Sequence, residues 1–99
     1  MNVTLLYFDD CPNWLEADDH LRALADEHPE MVIEYRVVET VEDAEVTRFH
    51  GSPSIMIDGV DPFAGPDTQV GLSCRVYPTA DGPAGSPTLE QLRRAIFGA

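Results

Sequence analysis

The feature that most limits the possible folds is an almost uninterrupted apolar run near the N-terminus, from Val3 to Phe8. A strand of this composition carries apolar side chains on both faces, so other elements must cover both faces. The next segment has apolar residues at three- and four-residue steps from Trp14 to Leu24, which is typical of a helix, and Pro29 ends it. We therefore predict an α/β fold with a central strand covered by helices.

A second strand is predicted from Met31 to Val38, where alternate positions from Met31 to Val37 share one face. A strand, a helix and a strand in this order make a βαβ unit, in which the two strands should be parallel. The 99 residues are enough for one hydrophobic core but too few for two. We predict a single domain over residues 1–99.

The middle of the chain predicts a short helix and a third strand. Thr40 and Asp43 have the spacing of a helix cap, which predicts a helix over residues 41–49. Gly51 can supply the left-handed residue that commonly ends a helix. Pro53 cannot donate a ladder hydrogen bond, so we place it at the start of the third strand.

The C-terminal part predicts one more strand and one more helix. The segment Val70–Tyr77 is predicted as the fourth strand, between two loops at Asp61–Gln69 and Pro78–Ser86. Thr88 and Gln91 have the spacing of a capping box and precede an apolar stripe, which predicts a final helix.

The charge of the chain restricts its partners. It has 18 acidic and 6 basic residues, a formal net charge of −12, and none of the basic residues is lysine. Such a chain repels phosphate backbones and anionic lipid, so we expect no nucleic acid and no membrane among its partners, and the lack of lysine excludes Schiff-base chemistry. No apolar run approaches the roughly 20 residues that cross a bilayer, and the N-terminus lacks the basic start of a signal peptide. We expect a cytoplasmic protein.

Cys11 lies at the predicted junction of the first strand and the first helix, and Pro12 suits the first helical position. The first N–H groups of a helix lack internal partners and carry partial positive charge, which lowers the pKa of a nearby thiol. Asp9 and Asp10 oppose this effect if their carboxylates face the sulfur. Two interpretations stay open: a mildly activated nucleophile and a semi-exposed, unreactive cysteine.

The other cysteine, Cys74, is distant from Cys11 in the sequence. Two distant cysteines do not make a disulfide framework, and cytoplasmic proteins keep their thiols reduced. We therefore expect reduced thiols. We interpret Cys74 as a small buried hydrophobe in the fourth strand rather than as a second, resolving thiol.

The order of these elements resembles the thioredoxin fold, and the whole sequence is similar to small bacterial thioredoxin-family proteins that are sometimes labelled alkylmercury lyase. The resemblance is carried by Cys11-Pro12-Asn13-Trp14, at the start of the first long helix, and by Ser52-Pro53, before the third strand. It implies a four-stranded mixed sheet of order 2-1-3-4 with about three helices. It also implies a cis Ser52–Pro53 bond that faces Cys11, and substrate contacts from Pro12, Trp14, Ser52 and Pro53.

The sequence departs from the thioredoxin pattern at two positions. Trp14 stands where thioredoxins have a second cysteine, and Leu5 stands where they have a buried carboxylate. In the implied sheet order, the Cys74 strand is offset by roughly 10 Å from the strand before Cys11, whereas a disulfide tolerates about 7 Å between Cα atoms. Direct bridging is therefore disfavoured, and a dithiol cycle cannot run within the motif.

The three histidines, His20, His28 and His50, lack the spacing of metal ligands, so we predict surface or capping roles and neither a metal nor a cofactor. In the implied fold, the end of the helix before His50 approaches the reactive edge, which is the end of the sheet that carries Cys11.

We predict a thiol–disulfide oxidoreductase of monothiol type, in which Cys11 attacks a small-molecule or protein disulfide and an external thiol completes the cycle. One alternative is a soft-metal or organomercurial binding protein that uses Cys11 and Cys74, since soft ions prefer thiolates. Another is a non-catalytic module that binds a peptide or protein in the groove beside Trp14 and Pro53. The sequence leaves open whether the chain is an enzyme.

Overall fold

The fold is organised around a three-stranded mixed sheet. In the computed structural model, which describes residues 1–65 and 67–98, the central strand β1 (Asn2–Tyr7) lies between β2 (Val32–Val37) and β3 (Ser54–Ile57). β1 and β2 are parallel, whereas β1 and β3 are antiparallel. The central position of the first strand and the parallel pairing of the first two strands are confirmed.

Three helices accompany the sheet in the described part of the chain: α1 (Trp14–Glu27), α2 (Val41–Thr47) and α3 (Leu89–Phe97). The predicted capping box of α3 is confirmed, because Thr88 and Gln91 each accept a hydrogen bond from the backbone N–H of the other. None of the described helices is long and apolar enough to cross a membrane. The single domain over residues 1–99 stays a prediction.

Both faces of β1 are covered, as its apolar composition requires. On one face, Val3 and Leu5 belong to a buried cluster that includes residues of α1 and α3. On the other face, Leu6 packs with Val38 and Phe49. The two-sided burial explains why this strand occupies the middle of the sheet.

Helix α2 has the predicted cap but is shorter than predicted. The Thr40 hydroxyl accepts a hydrogen bond from the Asp43 N–H at 3.0 Å. The helix then ends at Thr47, and Arg48, with a φ of 56°, takes the left-handed conformation that we expected of Gly51. Gly51 has a φ of 104° but lies beyond the helix end.

The structure differs from the prediction at the fourth strand, Val70–Tyr77. Within the described residues, the sheet has three strands in the order β2-β1-β3. The last strands, β4 (Tyr77–Thr79) and β5 (Gly82–Ala84), form a separate antiparallel hairpin. Most of this hairpin lies in the segment predicted as a loop, Pro78–Ser86. The strands were not predicted because two of the paired residues are prolines, which lack N–H groups and are unusual in strands.

Residues 71–75, termed the Cys74 segment, lie alongside residues 49–52 instead of joining the sheet as a strand. The Ser52 N–H donates to the Ser73 carbonyl at 2.7 Å, and the Arg75 N–H donates to the Ser52 carbonyl at 2.9 Å. This pairing brings the Cys74 segment to the start of β3.

Gly51 permits this close approach. A Cβ atom on Gly51 would lie 3.0 Å from the Cβ of Arg75 and 3.2 Å from the Ser73 carbonyl oxygen. The positive φ of Gly51 would add backbone strain to any side chain at this position.

We predict that Gly51→Ala lowers the free energy of unfolding by about 3 kcal/mol, because strain and crowding add together. Gly59→Ala is the matched control, since Gly59 has a φ of 88° and nothing within 4 Å of an added Cβ. It should cost about 1 kcal/mol from strain alone. Urea-induced unfolding measures both, and equal losses would show that the contact with the Cys74 segment is not tight.

Candidate functional site

The candidate site is formed by a disulfide between Cys11 and Cys74, which lie 63 residues apart in the sequence with Cα atoms 5.8 Å apart. Three predictions are therefore wrong: that the thiols are reduced, that direct bridging is disfavoured, and that Cys74 is a buried strand residue. Cys74 is an exposed residue. The geometric argument failed because the Cys74 segment pairs with Ser52, directly beside Cys11, and is not a strand two positions away.

Cys11 is held by the loop between β1 and α1. Its N–H donates to the Phe8 carbonyl at 3.0 Å, and the Phe8 N–H donates to the Ser52 hydroxyl, also at 3.0 Å. Cys11 is 1% exposed, and its Sγ lies 3.7 Å from the Ser52 carbonyl oxygen. Ser52 therefore contacts the elements that carry both cysteines.

The Ser52–Pro53 peptide bond is cis, as the resemblance implied. Both residues are buried, and the Pro53 carbonyl accepts a hydrogen bond from the Tyr77 hydroxyl. Burial raises the pKa of this hydroxyl above its usual range, so Tyr77 stays a donor. The predicted residues Ser52 and Pro53 thus lie beside the disulfide.

The other predicted contact residues lie on the exposed side of the loop. Pro12 is exposed in the turn before α1, because the helix begins at Trp14 rather than at Pro12. Trp14 is half-buried and its ring stacks on Tyr7, with ring centroids 4.2 Å apart. Trp14 also packs against the core, which agrees with its interpretation as the first residue of the apolar stripe of α1.

A buried ionic cluster next to the disulfide was missed by the sequence analysis. Arg75 donates to Asp61 through two nitrogens, at 2.7 Å and 3.5 Å, and His50 Nδ1 donates to the same carboxylate at 3.0 Å. The side chains of Asp61 and Arg75 are 2% and 8% exposed. No local spacing links these residues, and the one signal in the sequence was the expected approach of His50 to the reactive edge.

The cluster keeps Asp61 ionised. Burial alone would raise the pKa of the Asp61 carboxyl, but hydrogen bonds from Arg75 and His50 outweigh it and hold that pKa below its usual range. The Arg75 guanidinium also lies over the Tyr77 ring, 4.6 Å from the ring centroid. Asp61 and Arg75 therefore form a charged pair with its hydrogen bonds satisfied.

The described residues contain no group of three or more His, Cys, Asp or Glu side chains arranged to hold a metal ion. His20 Nδ1 lies 3.1 Å from the Pro87 carbonyl oxygen, and the His28 ring stacks on Phe97. These two histidines have structural contacts.

Comparisons with protein-family models, with curated proteins and with solved structures find no match to this chain. The thioredoxin-like resemblance therefore depends on the motifs and their arrangement alone, and it stays a prediction.

We predict that Asp61→Asn lowers the free energy of unfolding by about 3 kcal/mol near neutral pH, because it leaves the Arg75 charge buried without its partner. The pKa of Asp61 is lower in the folded than in the unfolded protein, so its contribution is complete above about pH 4. It is lost as the pH falls through the lowered folded value. The difference between wild type and variant should therefore shrink in acid, and a difference independent of pH in urea unfolding would contradict this assignment.

Proposed function

We propose that this chain is a thioredoxin-like thiol–disulfide oxidoreductase whose redox pair is Cys11 and Cys74. The observation that carries the proposal is the disulfide between the buried Cys11 and the exposed Cys74, whose segment lies at the start of β3. The motif lacks a resolving cysteine, but the Cys74 segment supplies one from elsewhere in the chain. An external thiol is then needed only to reduce the protein disulfide, and no longer to resolve a mixed disulfide with a substrate.

Two features support the thioredoxin-like part of the proposal. The strand order β2-β1-β3, with β3 antiparallel, corresponds to the first three positions of the order 2-1-3-4. The cis Ser52–Pro53 bond contacts the Cys11 sulfur through the Ser52 carbonyl. The family's fourth strand has no counterpart among the described residues of the sheet, where the hairpin of β4 and β5 is separate.

The proposed reaction is a two-step exchange. An external thiolate attacks the Cys74 sulfur, the bond between the two cysteines breaks, and Cys11 leaves with the electron pair as a thiolate. A second external thiolate then attacks the external sulfur of the mixed disulfide and releases Cys74 as a thiolate. Two external thiols are oxidised to one disulfide, and the protein disulfide is reduced to a dithiol.

The exposure of the two cysteines favours Cys74 as the substrate-facing sulfur. Cys11 is 1% exposed in the disulfide form, whereas Cys74 is an exposed residue, which favours the approach of an external thiol from the Cys74 side. In the opposite direction, Cys74 of the dithiol attacks a substrate disulfide and Cys11 displaces the product. This order reverses the role that the sequence analysis assigned to Cys11.

The expected cytoplasmic location favours a cycling rather than a permanent disulfide. Cytoplasmic disulfides are usually transient and serve catalysis or redox sensing. The substrate in this proposal is a thiol or disulfide, either a small molecule or a protein.

We predict different products when the reduced single-cysteine variants meet glutathione disulfide. Cys11→Ser should accumulate a stable mixed disulfide on Cys74, because no thiol remains to displace glutathione. Cys74→Ser should react about tenfold more slowly through the buried Cys11. The wild type should end as the intramolecular disulfide, with mass spectrometry of acid-quenched samples following each species.

Equal rates for the two variants would refute the proposed order of attack. A wild-type protein that exchanges no faster than an unfolded, urea-treated sample would refute the oxidoreductase and favour the non-catalytic binding module.

The short distance between the cysteines also supports a second candidate, a soft-metal or organomercurial binding protein. With Cα atoms 5.8 Å apart, the two reduced thiols are close enough to bind one ion together. Thiolate ligands select soft metals.

We predict that, if this second function is correct, the reduced wild type binds mercuric ion at one site with both sulfurs. Thiolate-to-metal ultraviolet absorption during titration measures the stoichiometry. Cys11→Ser and Cys74→Ser should each lose at least about tenfold in affinity, because one of two ligands is gone. Binding that survives Cys74→Ser undiminished would exclude a shared site.

A further inference from the structure

We infer that Asp61 and Arg75 are positioning residues for the cysteine pair. Their ion pair, termed the anchor, holds the Cys74 segment beside Cys11 when the disulfide is reduced. The inference deepens the proposed function, because it concerns how the same redox pair closes. It predicts that the anchor, and not the covalent bond alone, makes the disulfide easy to form again.

The position of Arg75 is the first argument. Arg75 follows Cys74 directly in the chain, and its buried side chain reaches Asp61, which precedes the Cys74 segment by about ten residues. Asp61 is itself held by the Phe63 N–H at 2.9 Å and by His50 at 3.0 Å. None of these bonds includes a sulfur atom, so reduction of the disulfide breaks none of them directly.

The backbone around Cys74 is the second argument. Ser73 and Arg75, the residues on either side of Cys74, are both hydrogen-bonded to Ser52. The close contact at Gly51 limits sliding of the segment in the same region. Cys74 is therefore restrained on both sides while its own side chain faces Cys11.

The consequence for redox chemistry is a question of effective concentration. Two thiols joined by a long flexible chain meet at effective concentrations of about the millimolar range. Groups held in a reactive geometry reach values many orders of magnitude higher. An anchored Cys74 therefore favours the internal disulfide over a mixed disulfide with an external thiol, and a released Cys74 favours it less.

A purely stabilising role explains this ion pair less well. A buried ion pair is often no more stabilising than apolar residues of similar size, because desolvation of both charges offsets their attraction. The bidentate contact of Arg75 with Asp61 instead sets the direction and distance of the Cys74 backbone.

The test is the redox equilibrium of the full chain with glutathione. One protein disulfide and two glutathione thiols exchange with one protein dithiol and one glutathione disulfide. Alkylation followed by mass spectrometry measures the ratio of the two protein forms. Asp61→Asn and Arg75→Met should each lower the equilibrium constant for disulfide formation by about tenfold, a potential about 30 mV less negative.

The two variants together separate the anchor from the effect of charge. Loss of the positive Arg75 disfavours a nearby thiolate and loss of the negative Asp61 favours one, so charge alone would shift the two potentials in opposite directions. Loss of the anchor shifts both in the same direction. Opposite shifts, or no shift in folded variants, would overturn the inference.

Two further variants complete the experiment. Glu27→Gln breaks the exposed ion pair with Arg93 and should leave the potential unchanged. Arg75→Lys keeps the charge but loses the two-nitrogen contact, and it should shift the potential by a smaller amount in the same direction as Arg75→Met. Circular dichroism of the reduced proteins checks that each variant is folded. If Arg75→Met is unfolded, Arg75→Lys decides the outcome. An unchanged potential in folded Arg75→Lys then contradicts the inference.

The measurement is independent of whether the proposed function is correct. A protein with slow substrate exchange still reaches redox equilibrium with glutathione over long incubation. The inference about the anchor is wrong if the redox potentials of the Asp61 and Arg75 variants do not shift as stated. The proposed oxidoreductase function is wrong if the exchange rates of the wild type and the single-cysteine variants do not differ as stated.

Discussion

The buried backbone of Ser52 is the constraint on which the arrangement of the site depends. The Ser52 N–H donates to the Ser73 carbonyl, and the Ser52 carbonyl accepts from the Arg75 N–H. The Ser52 hydroxyl accepts a hydrogen bond from the Phe8 N–H, and the Ser52 carbonyl oxygen lies 3.7 Å from the Cys11 sulfur. A fully buried residue must find protein partners for its polar groups, and Ser52 finds them on both sides. Three parts of the chain that are distant in sequence therefore meet at one residue.

Two links of different kind then hold neighbouring residues of the same segment. Cys74 is bonded to Cys11, and Arg75 is paired with Asp61. In the described residues no buried side-chain nitrogen or oxygen lacks a hydrogen-bond partner, so each buried polar atom of the charged cluster has at least one. A covalent link between two cysteines thus lies beside an ionic link that contains no sulfur atom.

Prediction from the sequence succeeded where neighbours in the chain decide the structure. The apolar run of β1, the stripe of α1 and the caps at Thr40 and Thr88 depend on residues a few positions apart. It failed at the predicted strand Val70–Tyr77, where the β-forming residues before Tyr77 lie outside the named strands. Strand propensity depends on the surface against which a segment packs, and that surface is not encoded locally.

By itself, the sequence determined the α/β class, the central strand and the placement of Cys11 just before the first helix. It also contained the Ser52-Pro53 motif whose cis bond the resemblance implied. Only the tertiary structure decided that Cys74 meets Cys11 and that Arg75 meets Asp61. The physical reason is that these contacts join segments far apart in the chain, and their geometry follows from the way the Cys74 segment packs beside Ser52, which no local pattern of residues specifies.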